Sequence, residues 1–163
     1  FINQKTKEKI GFNTDAFGFE QLLAHLPFKH ENKSLILGSG GVSNTVAYVL
    51  KKHAIEYKIV SREPQKNMIS YTEIKNIIRD FKLIINTTPL GQYPNITTHP
   101  KLPYHLISNK HQCIDLIYNP KETVFLKKTK SQGAQTIGGE KMFISQAEAS
   151  WSIWNNMMSQ NNV

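Results

Sequence analysis

The sequence predicts an α/β fold, a doubly wound parallel sheet covered by helices on both faces. Two observations carry that expectation. Short apolar runs of strand length alternate with segments of helical period, the pattern of parallel strands joined by crossover helices. Three glycines also fall within four residues, Gly38 to Gly41, where the apolar run "LILG" passes into a helical pattern.

In chain order, "TDAFGFEQLLAHL" spaces Phe17, Leu22, Leu23 and Leu26 as a helix, with Thr14 or Asp15 as N-cap and Pro27 beyond its end. "SLILG" reads as a buried strand, "VSNTVAYVLKKH" as a helix and "EYKIVS" as a second strand. "YTEIKNIIRDF" reads as helix or loop, and "LIINTTP" as the third strand. The Pro-rich stretch "GQYPNITTHPKLPYHLISNKHQ" reads as a long loop, the kind of segment that forms ligand lids. "QCIDLIYN" is the fourth strand, and "ETVFLKKTKSQG" is a helix closed by Gly133. "AQTIGG" is a short fifth strand, followed by the long closing helix "EKMFISQAEASWSIWNNM". The polar tail "NNMMSQNNV" is expected to fray.

Composition narrows the function classes. The 163 residues suffice for one domain with its own core. With 39% hydrophobic and 20% charged residues the chain has the make-up of a soluble globular protein. No apolar run approaches the roughly 20 residues that cross a bilayer, and the opening "FINQKTKEKIGF" lacks a signal-peptide layout. No membrane partner is therefore expected, and the cytoplasm is the expected location. The single Cys113 agrees with a reducing compartment. The opening also lacks an initiator Met, so the chain is expected to be part of a longer protein. A net charge of +8 suits nucleic acid in principle. The lysines are dispersed, however, and no nucleic-acid-binding motif accompanies them, so a solvated basic surface is expected instead. The histidines are scattered without ligand spacing, so no metal is expected.

The glycine turn points to a phosphate. Gly38 permits a tight turn, Gly40 lets the backbone approach a pyrophosphate, and the small Gly41 and Ser43 let the helix pack closely. The helix start adds free N–H groups and the positive end of its dipole. The fold expected is thus Rossmann-like. At the end of the second strand, an NAD-binding turn carries a carboxylate for the ribose hydroxyls. Here Ser61 and Arg62 stand in that place, with Lys66 behind, and a guanidinium can grip a 2′-phosphate. The cofactor expected is NADP, with Glu63 beside Arg62 diluting the preference.

"GFNTD" (Gly11 to Asp15), "LGSGGVS", "INTTPLGQYP", "DLIYNPKETVFL" and "GGEKMFISQAEASWSIW" occur in that order. Together they resemble the C-terminal half of the shikimate dehydrogenases. The resemblance implies reduction of 3-dehydroshikimate to shikimate with NADPH, toward chorismate and the aromatic amino acids. It implies that residues 1–30 are a hinge segment and linking helix from an upstream substrate domain, and 31–163 the NADP-binding domain. It makes Asp15 the catalytic aspartate, holding the substrate hydroxyl beside a lysine, with Tyr118 and Gln146 hydrogen-bonding the substrate. Gly38, Ser39, Gly40, Gly41, Val42, Ser61 and Arg62 become cofactor-binding positions. So do Asn86, Thr87 and Thr88, the backbone of Leu116, and Gly139 beside the nicotinamide. Where the family has Asn-Arg-Thr after the second strand, this chain has Ser61-Arg62-Glu63. The family's lysine and the serines that hold the substrate carboxylate belong to the upstream domain. The chain alone is therefore expected to be inactive, and a homodimer is an option for it. A quinate/shikimate dehydrogenase using NAD, or a non-catalytic nucleotide-binding module, are the alternatives.

Overall fold

The computed structural model describes residue 2, residues 7–26 and residues 33–161, with side chains to 157. Its elements are α1 (Thr14–Leu23), β1 (Lys33–Leu37), α2 (Gly41–Lys52), β2 (Tyr57–Ser61), β3 (Met68–Ser70), α3 (Ile74–Ile77), β4 (Phe81–Asn86), β5 (Gln112–Asp115), α4 (Val124–Ser131), β6 (Gln135–Ile137) and α5 (Glu140–Asn161). The position of Pro27 and the expected boundary between residues 30 and 31 lie outside the described residues.

The six strands form one parallel sheet in the order β3-β2-β1-β4-β5-β6. This is the doubly wound order, whose direction of winding reverses between β1 and β4. Residues of adjacent strands alternate between two cores. Leu35, Leu37, Ile84 and Cys113 point to the face covered by α3 and α4, while Ile36, Leu83, Ile85 and Ile114 point to the face covered by α1, α2 and α5. A strand buried on both faces has no reason to alternate polar with apolar, which is why these runs read as continuously apolar. Register brings Leu37 beside Asn86, and Asn86 beside Asp115, so the carboxyl ends of three strands finish level.

Several local expectations change. β3, only three residues long, carries no periodic signal, so the sheet has a sixth strand where five were expected. "YTEIKNIIRDF" is the short α3 followed by a 3₁₀ turn, Ile78–Asp80. The N-cap of α1 is Asn13, whose side chain accepts a hydrogen bond from Ala16 N–H; it is neither Thr14 nor Asp15. Packing against α2, the sheet and Met142 turns Phe19, Leu22 and Leu23 inward, and Phe17 is 46% exposed. The spacing Phe19, Leu22, Leu23, Leu26 is the true apolar stripe. Gly133 does follow α4 with φ +87°, as a helix-terminating glycine should. The tail expected to fray is helical through Asn161, since extending a helix costs less than nucleating one. The Pro-rich loop is mostly a cover: Leu102 and Ile107 are buried in the core under it, and the Tyr104 hydroxyl donates to Pro100 O.

Candidate active site at the carboxyl edge of the sheet

At the switch point the chain leaves β1 through Gly38, whose φ of +107° is open to glycine at little cost. A Cβ there would come within 2.9 Å of Thr88 Cγ2 and 3.0 Å of Thr87 Oγ1, so the turn can lie against the end of β4 only without a side chain. Thr87 closes that contact, donating its N–H and its hydroxyl to Leu37 O at 3.0 and 2.7 Å. At Gly40 and Gly41 a Cβ would meet nothing within 4 Å, and no side chain caps α2. The amino end of α2 therefore opens onto space that stays clear of side chains, the surroundings a pyrophosphate requires.

The end of β2 beside the glycine turn is built on Ser61. Its hydroxyl lies 3.1 Å from Ser39 Oγ, donates to Glu63 O and accepts from Glu63 N–H. Ser61 is buried, so its hydroxyl pins the strand end to the glycine turn and shapes the loop that carries Arg62. Arg62 itself is exposed and joins no ion pair among the described residues.

Beside the switch point lies a cleft of about 330 Å³, with Thr87, Thr88, Leu116 and Gly139 toward the sheet and Asp15, Tyr118 and Gln146 on the outer side. Asp15 arrives from the first turn of α1, where the Asn13 cap leaves its carboxylate without a capping task. Gln146 arrives from α5, held at its Oε1 by the Thr14 hydroxyl, which in turn accepts from Ser150 Oγ at 3.0 Å. This tie is possible because α1 and α5 pack closely at Gly18, where a Cβ would sit 2.7 Å from Met142 O. Tyr118 stacks on Phe143 with ring centroids 4.2 Å apart and planes 17° apart, and the pair stays 47% and 43% exposed. Such an offset-stacked pair gives the cleft a flat apolar wall with one hydroxyl on it.

Asp115, fully buried at the end of β5, sits under this rim. Its Oδ1 accepts from Asn86 Nδ2 at 3.0 Å and Ile117 N–H at 3.2 Å, and its Oδ2 from the Thr123 hydroxyl at 2.6 Å. Burial pushes its carboxyl up from 3.8 to about 6, against those three hydrogen bonds. A raised value means that folding favours the neutral acid, so its stabilising contribution is complete below the ordinary value and lost as pH rises through about 6. Asp115→Asn does not titrate. The stability of the parent chain relative to this variant should thus fall by about 2 kcal/mol between about pH 4 and pH 7. Urea denaturation across that range measures it, and a constant difference would contradict the assignment.

The residues expected to act together divide into four groups. Asp15, Val42, Thr87, Thr88, Leu116, Tyr118, Gly139 and Gln146 share the cleft, while Gly38, Ser39, Gly40 and Gly41 form the turn beside it. Ser61 and Arg62 lie apart from the cleft, at the end of β2. Asn86 is fully buried, its amide engaged with Asp115 on one side and with Thr88 N–H and Oγ1 on the other. Gln92, Met142 and Phe143 also line the cleft and were not anticipated; nor was Asp115. Asp115 did carry a signal, a lone carboxylate inside the apolar run "CIDLI". Among the described residues no three His, Cys, Asp or Glu cluster as metal ligands, and no helix is long and apolar enough to cross a membrane.

No family model matches the chain. The shikimate dehydrogenase (NADP(+)) of Methanococcus vannielii is 33% identical over 175 residues, covering 96% of this chain and 62% of that protein. Among solved structures, a chorismate mutase/shikimate 5-dehydrogenase fusion protein from Clostridium acetobutylicum is 38% identical and superposes with a TM-score of 0.79, over 90% of this chain and 55% of that one. The shikimate 5-dehydrogenase of Thermus thermophilus, solved in complex with NADP(H) and shikimate, is 28% identical with a TM-score of 0.77, over 90% and 57%. The chain thus spans about three fifths of the length of the relatives it matches. Over that length the chain is similar, in sequence and in fold, to shikimate dehydrogenases.

Proposed function

We propose that this chain is the cofactor-binding part of an NADP-dependent shikimate dehydrogenase, reducing 3-dehydroshikimate to shikimate. The observation that carries the reading is the convergence of Asp15, Tyr118 and Gln146, from three distant parts of the chain, on one cleft beside the glycine turn. The residues fit the cofactor: an uncapped helix start fronted by Gly40 and Gly41 suits a pyrophosphate, and Arg62 suits a 2′-phosphate. When bound, the nicotinamide supplies the hydride. The protein's own residues do the rest. Thr87, Thr88 and the Leu116 backbone border the nicotinamide end, while the Tyr118 hydroxyl and the Gln146 amide hold the substrate ring. Asp15 accepts the substrate hydroxyl and orients the lysine that moves the proton. That lysine is expected from an upstream domain, and among the described residues none lines the cleft.

Cofactor choice is the point most open to experiment, because Glu63 stands beside Arg62. In calorimetric titrations the chain should bind NADP(H) more tightly than NAD(H). Arg62→Ala should weaken NADP(H) by about ten- to a hundredfold, the worth of a charge-assisted hydrogen bond, and leave NAD(H) almost unchanged. Equal affinities in the parent chain would instead favour an NAD-using quinate/shikimate dehydrogenase.

A further inference from the structure

We infer that Asp115 is a positioning residue for the rim of the cleft, holding the ends of β4 and β5 in the one arrangement that accepts the nicotinamide half of the cofactor. The inference rests on the reading of the cleft as an NADP(H) site.

Asp115 does not itself line the cleft, yet Thr88, the Leu116–Ile117 segment and Gly139 are tied to it. Through Asn86 Nδ2 it fixes the side chain whose Oδ1 accepts both Thr88 N–H and the Thr88 hydroxyl, so Thr88 is held at one remove. Through Ile117 N–H it folds Asp115-Leu116-Ile117 into a side-chain-closed turn, which orients the Leu116 peptide. Ile117 O then accepts from Gly139 N–H, and Gly139 O accepts from Phe143 N–H at 2.9 Å, passing the same constraint to the first turn of α5. Through Thr123, which also caps α4 by accepting from Leu126 N–H, it anchors the segment that follows. Thr88, Leu116, Ile117, Gly139 and Phe143 are all cleft residues.

A carboxylate is an expensive way to hold a loop. Among the described residues no cation pairs with it, and Tyr104, the titratable group linked to it across the core, is itself kept neutral by burial. An apolar side chain in its place would remove the desolvation cost and leave the Asn86, Ile117 and Thr123 donors without an acceptor. Three acceptor directions from one side chain are what a carboxylate provides and a hydroxyl or methyl does not. The network bears directly on one end of the cleft. The glycine turn meets it only where Gly38 packs against Thr88, and is otherwise tied to β2 by Ser39 and Ser61, while Arg62, which follows β2, has no hydrogen bond to the Asp115 network among the described residues.

The test compares NADP+ with adenosine 2′,5′-bisphosphate, which carries the phosphates of the adenosine half and no nicotinamide, by calorimetric titration of the full chain. Asp115→Ala should weaken NADP+ by about tenfold or more and leave the bisphosphate within about twofold. Thr123→Val, which removes one donor and keeps the turn at Ile117, should fall between parent and Asp115→Ala for NADP+ and again spare the bisphosphate. If Asp115→Ala fails to fold, Asp115→Asn takes its place. It keeps the acceptor for Asn86 and Ile117 and presents an N–H to Thr123, and it should weaken NADP+ several-fold with the same selectivity. Equal losses for both ligands would reduce Asp115 to a stability residue, and no loss for either would remove it from the site; both results overturn the inference. If the parent chain binds neither ligand, the NADP reading itself fails, which is a separate outcome.

Discussion

The 163-residue chain assayed alone should bind NADP(H) and show no detectable oxidation of shikimate. On the proposed reading the cofactor is held by parts present in these residues: the sheet, the glycine turn and the uncapped start of α2 are formed by the chain itself. The substrate half is not. Asp15, Tyr118 and Gln146 approach from one side of an open cleft, and among the described residues no lysine borders it. A positioned proton carrier is worth roughly 10²- to 10⁴-fold in rate. Fixing the substrate against the nicotinamide removes a further penalty that reaches about 10⁵ M in effective concentration. The chain spans only 62% of the Methanococcus vannielii enzyme, and both missing contributions are expected from the remainder. Following NADPH formation spectrophotometrically, with a full-length relative as the positive control, decides the matter. Turnover by the chain alone would mean that a proton carrier lies within these residues after all.

Gly139→Ala should be the most damaging single methyl that can be added near the site. An ideal Cβ at Gly139 lies 2.1 Å from Leu116 O and 2.5 Å from Leu116 C. Both are backbone atoms, so no side-chain rotation relieves the overlap, and the segment after β5 must move as a unit. Overpacking a core ordinarily costs about 1–3 kcal/mol; displacing backbone already fixed to Ile117 O and to the start of α5 should cost at least the upper end of that range. Because the displaced group is the Leu116 peptide, NADP(H) affinity should fall together with the melting temperature. Gly40→Ala is the control: its Cβ meets nothing within 4 Å, so stability should hold while any loss of affinity reports the cofactor's own approach. A Gly139→Ala chain with parental stability would show that the two segments separate more freely than their contact implies.

Much of this protein was legible in its residues taken in order. Apolar runs such as "SLILG" and "LIINTTP", set between helical segments, specified a sheet buried on both faces, because burial on both sides removes polar alternation from a strand. The tight glycine turn between β1 and α2 was legible too, for local reasons of sterics. These are properties of neighbours in sequence, so sequence suffices to determine them. Where a side chain points across the fold is a different kind of fact. Asp15 and Gln146 meet only because α1 and α5 close together at Gly18, and Phe17 turns outward because the Phe19, Leu22 and Leu23 face of α1 packs into the core. Asn86 looks the same in sequence as the Thr87 and Thr88 that follow it, yet it alone is buried and spent on Asp115. The long Pro-rich loop could not be distinguished from a lid until Leu102 and Ile107 were seen to be buried in the core. In each case the deciding partner lies far away in the chain, and hydrogen bonds and burial at that range exist only once the tertiary structure has formed.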